Sequence, residues 1–258
     1  MGAGAATHRC GMDIDSSTPT TSALVTGANK GLGAETTRRL AALGWTIWMG
    51  ARDVAAAEAT ADAIRAEQPD ADLRPVALDV TDDASVAAAY DVVAAAGTGL
   101  DVLVNNAGIA DMAAGDTVAT VPTHFLATFG VNVLGPVRVT HAFLPLLTAS
   151  PSPRLVMVSS GLGTIAHVND PSRPEYGVPG MVYQSSKAAL DMIANQYGKA
   201  LPEVRVRAVD PGYTATDLNG NSGHQTVTEG TDAIVAAASA DEVPAGKFDR
   251  SHLVGVPA

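Results

Sequence analysis

The chain has 258 residues, 47% hydrophobic and 17% charged, enough apolar side chain for one large core or two smaller ones. Sixteen Lys+Arg against 27 Asp+Glu leave a net charge of −11 and no basic stripe, which excludes nucleic acid as a partner. The single cysteine, Cys10, excludes an intrachain disulfide framework and fits a reducing cytoplasm, and no run of 18 uncharged apolar residues supports a membrane span.

Residues 1–21 read as a flexible polar leader. They lack the apolar stretch of a signal peptide, and Ala6 stands where a myristoylation motif wants Ser or Thr. From Ser22 short β-branched runs alternate with Ala-rich helical stretches, the pattern of βαβ units around a buried parallel sheet. The predicted strands are Ala23–Val25, Trp45–Met49, Arg74–Leu78, Leu100–Val104, Arg154–Val158, Val204–Val209 and His252–Val254. Gly44 marks a helix end after the first of the intervening helices, and Thr81-Asp82-Asp83 begins the helix that runs to Ala96. Thr226 and Glu229 have capping-box spacing ahead of the run AIVAAAS. The expected fold is α/β: a Rossmann-type, doubly wound, seven-stranded parallel sheet with helices on both faces, forming one domain over residues 22–258.

Directly after the first strand stands Thr26-Gly27-Ala28-Asn29-Lys30-Gly31-Leu32-Gly33, opening a helix. A glycine-rich turn in that place brings backbone N–H groups and a helix N-terminus to a pyrophosphate. The spacing is T-G-x-x-x-G-x-G rather than G-x-G-x-x-G. Asn105-Asn106-Ala107-Gly108 follows the fourth strand, Ser159-Ser160-Gly161 the fifth, and Asp210-Pro211-Gly212 the sixth, while Tyr183 and Lys187 stand at i and i+4 on one helix face.

In this order these motifs resemble the short-chain dehydrogenase/reductase family, over about Ala23 to Arg250, and the stretch 217–230 with 246–250 looks like its carbonyl-reductase branch. The resemblance implies an oxidoreductase that interconverts a ketone or aldehyde and an alcohol by hydride transfer. It implies Tyr183, Lys187, Asn132 and a serine as the catalytic set, the serine being Ser160, with Ser159 as the alternative. It assigns Gly27, Asn29, Lys30, Gly31, Leu32, Gly33, Asp79, Val80, Asn106, Ala107, Gly108, Pro211, Gly212, Thr214 and Thr216, with Tyr183 and Lys187, to the cofactor. Position 51 is Ala51, where NAD-preferring members carry an acid. Arg52 and Lys30 therefore point to the 2′-phosphate of NADP(H), to which a guanidinium offers paired donors.

A lysine about 4 Å from Tyr183 would favour its ionised form by about 4 kcal/mol at an effective dielectric of 20. The implied partner is a small carbonyl or alcohol substrate bound mainly by 161–182 and 218–230. Members of the family occur as homo-oligomers and as monomers. Two other classes were weighed. An α/β-hydrolase would need G-x-S-x-G, but Val158 occupies the first glycine's place, and the six histidines lack metal-ligand spacing. A nonenzymatic dinucleotide sensor is the remaining rival, against which the complete set Asn132, Ser160, Tyr183 and Lys187 argues.

Overall fold

The computed structural model of the chain describes residues 20–110, 117–240 and 247–249. The leader, apart from residues 20 and 21, and the strand expected at 252–254 lie outside the described residues. Ser22–Thr26 (β1), Thr46–Ala51 (β2), Leu73–Ala77 (β3), Val102–Asn105 (β4), Arg154–Val158 (β5) and Arg205–Asp210 (β6) form a parallel sheet in the order β3-β2-β1-β4-β5-β6. A three-residue segment, Lys247–Asp249 (β7), pairs with the far edge of β6. Strand ends differ from the expected ones by one or two residues because apolar runs report burial, whereas ladders end where pairing ends. Leu100, 1% exposed, is core although it precedes β4.

Among the described residues eight α-helices connect the strands: Gly31–Ala41 (α1), Val54–Glu67 (α2), Asp83–Ala95 (α3), Thr123–Phe129 (α4), Gly135–Thr148 (α5), Ile165–Val168 (α6), Met181–Ala200 (α7) and Val227–Ser239 (α8). Their caps follow the sequence. Asp53 accepts from Ala56 N at 3.1 Å, Asp82 from Ala84 N at 2.9 Å, and Thr226 with Glu229 completes a capping box at α8. Gly44, with φ of 80°, turns the chain out of α1. No described helix is long and apolar enough to cross a membrane.

Alternation along each strand divides the core between the two faces. Val25, Met49, Val104 and Val156 pack with Leu40 and Ile234 under α1 and α8. Leu24, Leu103 and Met157 pack with Phe143, Leu147 and Leu190 under α5 and α7. The chain reverses direction across the sheet between β1 and β4, which are neighbours. The carboxyl ends of those two strands therefore border the crevice where an open α/β sheet binds ligands.

Candidate active site

β1 runs into the glycine turn, and Gly27 and Gly31 there have φ of 65° and 54°, the left-handed region that favours glycine. At Gly33 the demand is for space. A Cβ would overlap the Gly27 carbonyl oxygen and lie 2.6 Å from Asn106 Nδ2. The turn is braced by the segment after β4. Thr26 Oγ1 accepts from the Asn106 and Ala107 N–H groups at 3.0 and 2.9 Å, and Asn106 Nδ2 donates to Thr26 O at 2.8 Å. Asn29 O is fixed by Thr60 Oγ1 at 2.8 Å, and Leu32 packs into the core between α1 and α8. The N-cap residue of α1, Lys30, makes no side-chain capping bond, and the first turn carries no acid. That helix end thus offers N–H groups to an anion through a cradle that a Cβ would fill, which fits a dinucleotide pyrophosphate.

Arg52 lies exposed just beyond β2. Asp79, after β3, accepts from Thr81 Oγ1 and N at 2.7 and 2.8 Å, and these bonds hold its carboxyl below the usual range. Val80 is buried against the start of α5, where a Cβ on Gly135 would come within 2.8 Å of it. Lys30 departs from the expectation of a lysine waiting for phosphate. It forms a 2.8 Å ion pair with Asp217, 187 residues away, across the front of the glycine turn. Both partners are two-thirds exposed, so the pair is weak and a phosphate can compete for the lysine.

The two candidate serines face different partners. Ser159 is 2% exposed and its Oγ faces the Lys187 carbonyl at 3.5 Å, whereas the Ser160 hydroxyl hydrogen-bonds the Tyr183 phenol and accepts from Leu162 N at 3.3 Å. One turn along α7, Lys187 is buried. Its Nζ donates to Val158 O at 2.8 Å and stands 5.6 Å from the centre of the Tyr183 ring.

Burial pushes Tyr183 up to about 12; the Ser160 hydrogen bond acts in the lowering direction, and the Asp210 carboxylate adds to the rise. The loss of solvation is the largest of these effects, because burial in a low-dielectric site disfavours the charged form of a phenol.

Asn132 lies in a π turn, Gly130–Leu134, inserted between α4 and α5 and closed by the bond from Gly135 N to Gly130 O. Its side chain is buried and committed: Nδ2 donates to Ile109 O at 2.8 Å and Ser186 Oγ at 3.1 Å, and Oδ1 accepts from Ile109 N at 2.9 Å. Asn132 thereby pins the end of the N-N-A-G segment beside α7, where Lys187 Nζ would lie 3.7 Å from a Cβ on Gly108.

After β6, Asp210 Oδ1 accepts from Gly212 N at 3.0 Å, and Gly212 turns with φ of 74° against Gln225. Thr214 is buried, its hydroxyl donating to Pro211 O at 3.2 Å and pressed against Gly230. Thr216 caps the short turn Asp217–Asn219 and returns to the glycine turn, its Cγ2 3.7 Å from a Cβ on Gly31.

Two further carboxylates belong to the site. A Cβ on Gly161 would touch both Glu175 Oε1 at 2.5 Å and Asp210 Oδ2 at 2.8 Å. Gly161 and Asp210 stand in quoted motifs, but nothing in the sequence says that 161, 175 and 210 meet. Beside the site, on the other flank of α7, lies a groove of ≈ 530 Å³ lined by Leu162, Ile165, Val178, Met181 and Gln184, with no charged side chain in its wall among the described residues.

The comparisons agree with this geometry. The profile described as short chain dehydrogenase matches residues 21–227. A short-chain dehydrogenase of Penicillium roqueforti is 35% identical over 226 residues, covering 84% of this chain and 87% of the relative. A (+)-neomenthol dehydrogenase of Arabidopsis thaliana is 31% identical, covering 88% of this chain and 94% of its own. Among solved structures, an NADPH-bound carbonyl reductase from chicken fatty liver superposes with a TM-score of 0.75 at 27% identity, covering 86% of this chain and 92% of that one. With the profile spanning most of the chain and relatives aligned along nearly their full length, the chain belongs to the short-chain dehydrogenase/reductase family of oxidoreductases.

Proposed function

We propose that the chain, a single domain from residue 22, is an NADP(H)-dependent reductase of ketones or aldehydes, with Tyr183 as proton donor. The observation that carries this reading is the hydrogen bond between Ser160 and the half-buried Tyr183 phenol, with Lys187 one helical turn behind. A carbonyl oxygen placed between the two hydroxyls receives two hydrogen bonds, and negative charge developing there is met by donors already in position. When bound, the nicotinamide supplies the hydride. Tyr183 gives its proton to the oxygen, Ser160 stabilises the charge, and Lys187, anchored on Val158 O, places a cation near the phenol as it becomes negative. Asn132 holds the Gly108–Ile109 backbone beside them.

Exposed Arg52, with Ala51 in place of an acid, supports NADP(H) over NAD(H), as does the NADPH-bound carbonyl reductase neighbour. Charge-assisted bonds to a phosphate contribute about 1.5–3 kcal/mol each, or roughly ten- to hundredfold. The Arg52→Ala variant should lose that factor in kcat/KM for NADPH and keep its kcat/KM for NADH. Equal use of both cofactors by the unmodified chain contradicts the assignment.

Among the described residues the groove beside α7 has no charged side chain in its wall, Arg173 is held by Glu175 at 3.1 Å, and Asp210 and Glu175 border Gly161. These features favour uncharged substrates and repel anions. A matched series of neutral ketones and their carboxylate analogues, assayed with NADPH, should show higher kcat/KM for the neutral members. Preference for the carboxylates would reveal a cation that the site does not otherwise present.

A further inference from the structure

Of the two cations expected to meet a 2′-phosphate, Arg52 stands exposed beyond β2, whereas Lys30 is already engaged. Its Nζ donates to Asp217 Oδ2 at 2.8 Å, which joins the N-cap of α1 to the segment after β6. The carboxylate is not a loose surface charge. It opens the short turn Asp217–Asn219, capped by Thr216. Asn219 ties that turn down, accepting from Thr216 N at 3.2 Å and donating from Nδ2 to Thr214 O at 2.9 Å. Asn221, with φ of 61° and its N–H bonded to Thr216 O at 2.9 Å, donates from its side chain to Asp217. Thr216 itself rests against the glycine turn, its Cγ2 3.7 Å from a Cβ on Gly31. The acceptor is therefore held beside the lysine by its own turn, and the pair forms with little loss of freedom on the carboxylate's side.

We infer that Asp217 is a specificity-determining residue: its carboxylate occupies Lys30 and competes with the 2′-phosphate for it, so that the site selects NADP(H) over NAD(H) less strongly than Arg52 and Lys30 alone would. This rests on the reading of the chain as NADP(H)-dependent.

The competition follows from what the two dinucleotides carry. NAD(H) has a ribose hydroxyl where NADP(H) has a phosphate, and it can bind with the Lys30–Asp217 pair intact. NADP(H) gains the lysine only by breaking the pair. The exchange still favours the phosphate, which brings more charge and more acceptor oxygens than one carboxylate. The lysine's contribution to phosphate binding is nevertheless reduced by the stability of the pair that is lost. For an exposed pair that reduction is a factor of up to about five.

Asp217→Asn keeps the size of the side chain and an oxygen for Asn221 while it removes the charge. Fluorescence titration of the full chain with NADPH and with NADH gives the two Kd values, and thermal unfolding checks that the variant is folded. At low salt Asp217→Asn should tighten NADPH by about two- to fivefold and leave the Kd for NADH unchanged. The gain should shrink as salt is raised, because the pair is two-thirds exposed and screened. Lys30→Met should weaken NADPH binding. In that background Asp217→Asn should change neither Kd, since no cation remains for it to release.

An unchanged Kd for NADPH in folded Asp217→Asn overturns the inference. So does an equal tightening of NADH, which would show repulsion of the shared pyrophosphate rather than competition for the lysine, or a gain that survives Lys30→Met. If the unmodified chain bound both dinucleotides equally, the reading of it as NADP(H)-dependent would fall, while a tightening confined to NADPH in Asp217→Asn would still establish the competition.

Discussion

Tyr183→Phe should lower kcat for ketone reduction by about 10²–10⁴-fold, the usual contribution of a placed general acid, while the Kd for NADPH changes by less than about threefold. The substitution removes one oxygen and leaves the ring over which Lys187 stands. The Ser160 hydroxyl loses its phenol partner but keeps the Leu162 N–H, so the local backbone should hold. Loss in kcat and in kcat/KM together identifies an interaction made in the transition state, whereas a rise in KM alone would make Tyr183 a binding residue. Burial pushes the phenol up to about 12, so the protonated donor persists throughout the neutral range. Reduction by the unmodified chain should therefore show no loss attributable to Tyr183 between pH 6 and 8, values about four or more units below that midpoint. Retention of most of kcat by Tyr183→Phe would send the search for a donor to another phenol, with Tyr176 and Tyr213 the next to test.

Gly33→Ala should abolish measurable NADPH binding and lower the thermal midpoint. The new methyl group has no room: it meets the Gly27 carbonyl oxygen and Asn106 Nδ2, both backbone-linked parts of the braced turn. Overpacking of this kind costs about 1–3 kcal/mol, and relieving it means moving the backbone that forms the cradle. Gly177→Ala is the matched control, since a Cβ there has nothing within 4 Å, and it should bind NADPH and melt like the unmodified chain. Fluorescence titration with NADPH and thermal unfolding of both variants read the two effects separately. Normal binding by Gly33→Ala would mean that the dinucleotide does not enter through this turn.

Much of the site was legible because the family's motifs sit at strand ends, and strand ends follow from apolar periodicity. The Thr26–Gly33 turn, Asn105–Gly108, Ser159–Ser160 and the Tyr183–Lys187 face all fall where the sequence places them, at the carboxyl edge of β1, β4 and β5 or on α7. What sequence spacing does not encode is the approach of segments far apart in the chain. The choice of Ser160 over Ser159 depends on which hydroxyl leaves β5 toward α7's tyrosine, and a one-residue shift reverses it. Lys30 meeting Asp217, and Asp210 meeting Glu175 at Gly161, are contacts made by loop closure alone. The π turn at Asn132 escaped for another reason: Gly130 and Gly135 bracket it, but their spacing is also compatible with an ordinary helix. Thr214 was read as a cofactor ligand from its motif position, while the packing of α8 against that loop turns its hydroxyl to Pro211.

The most direct test follows the hydride itself. The purified chain is mixed with NADPH carrying deuterium at the transferable position and a panel of neutral ketones and aldehydes, and the products are examined by mass spectrometry. The predicted result is alcohol with one deuterium on the carbinol carbon, formed by the unmodified chain and lost in Tyr183→Phe. Tight NADPH binding with no deuterium transferred to any member of the panel would contradict the account and favour a protein that senses the dinucleotide without turning it over.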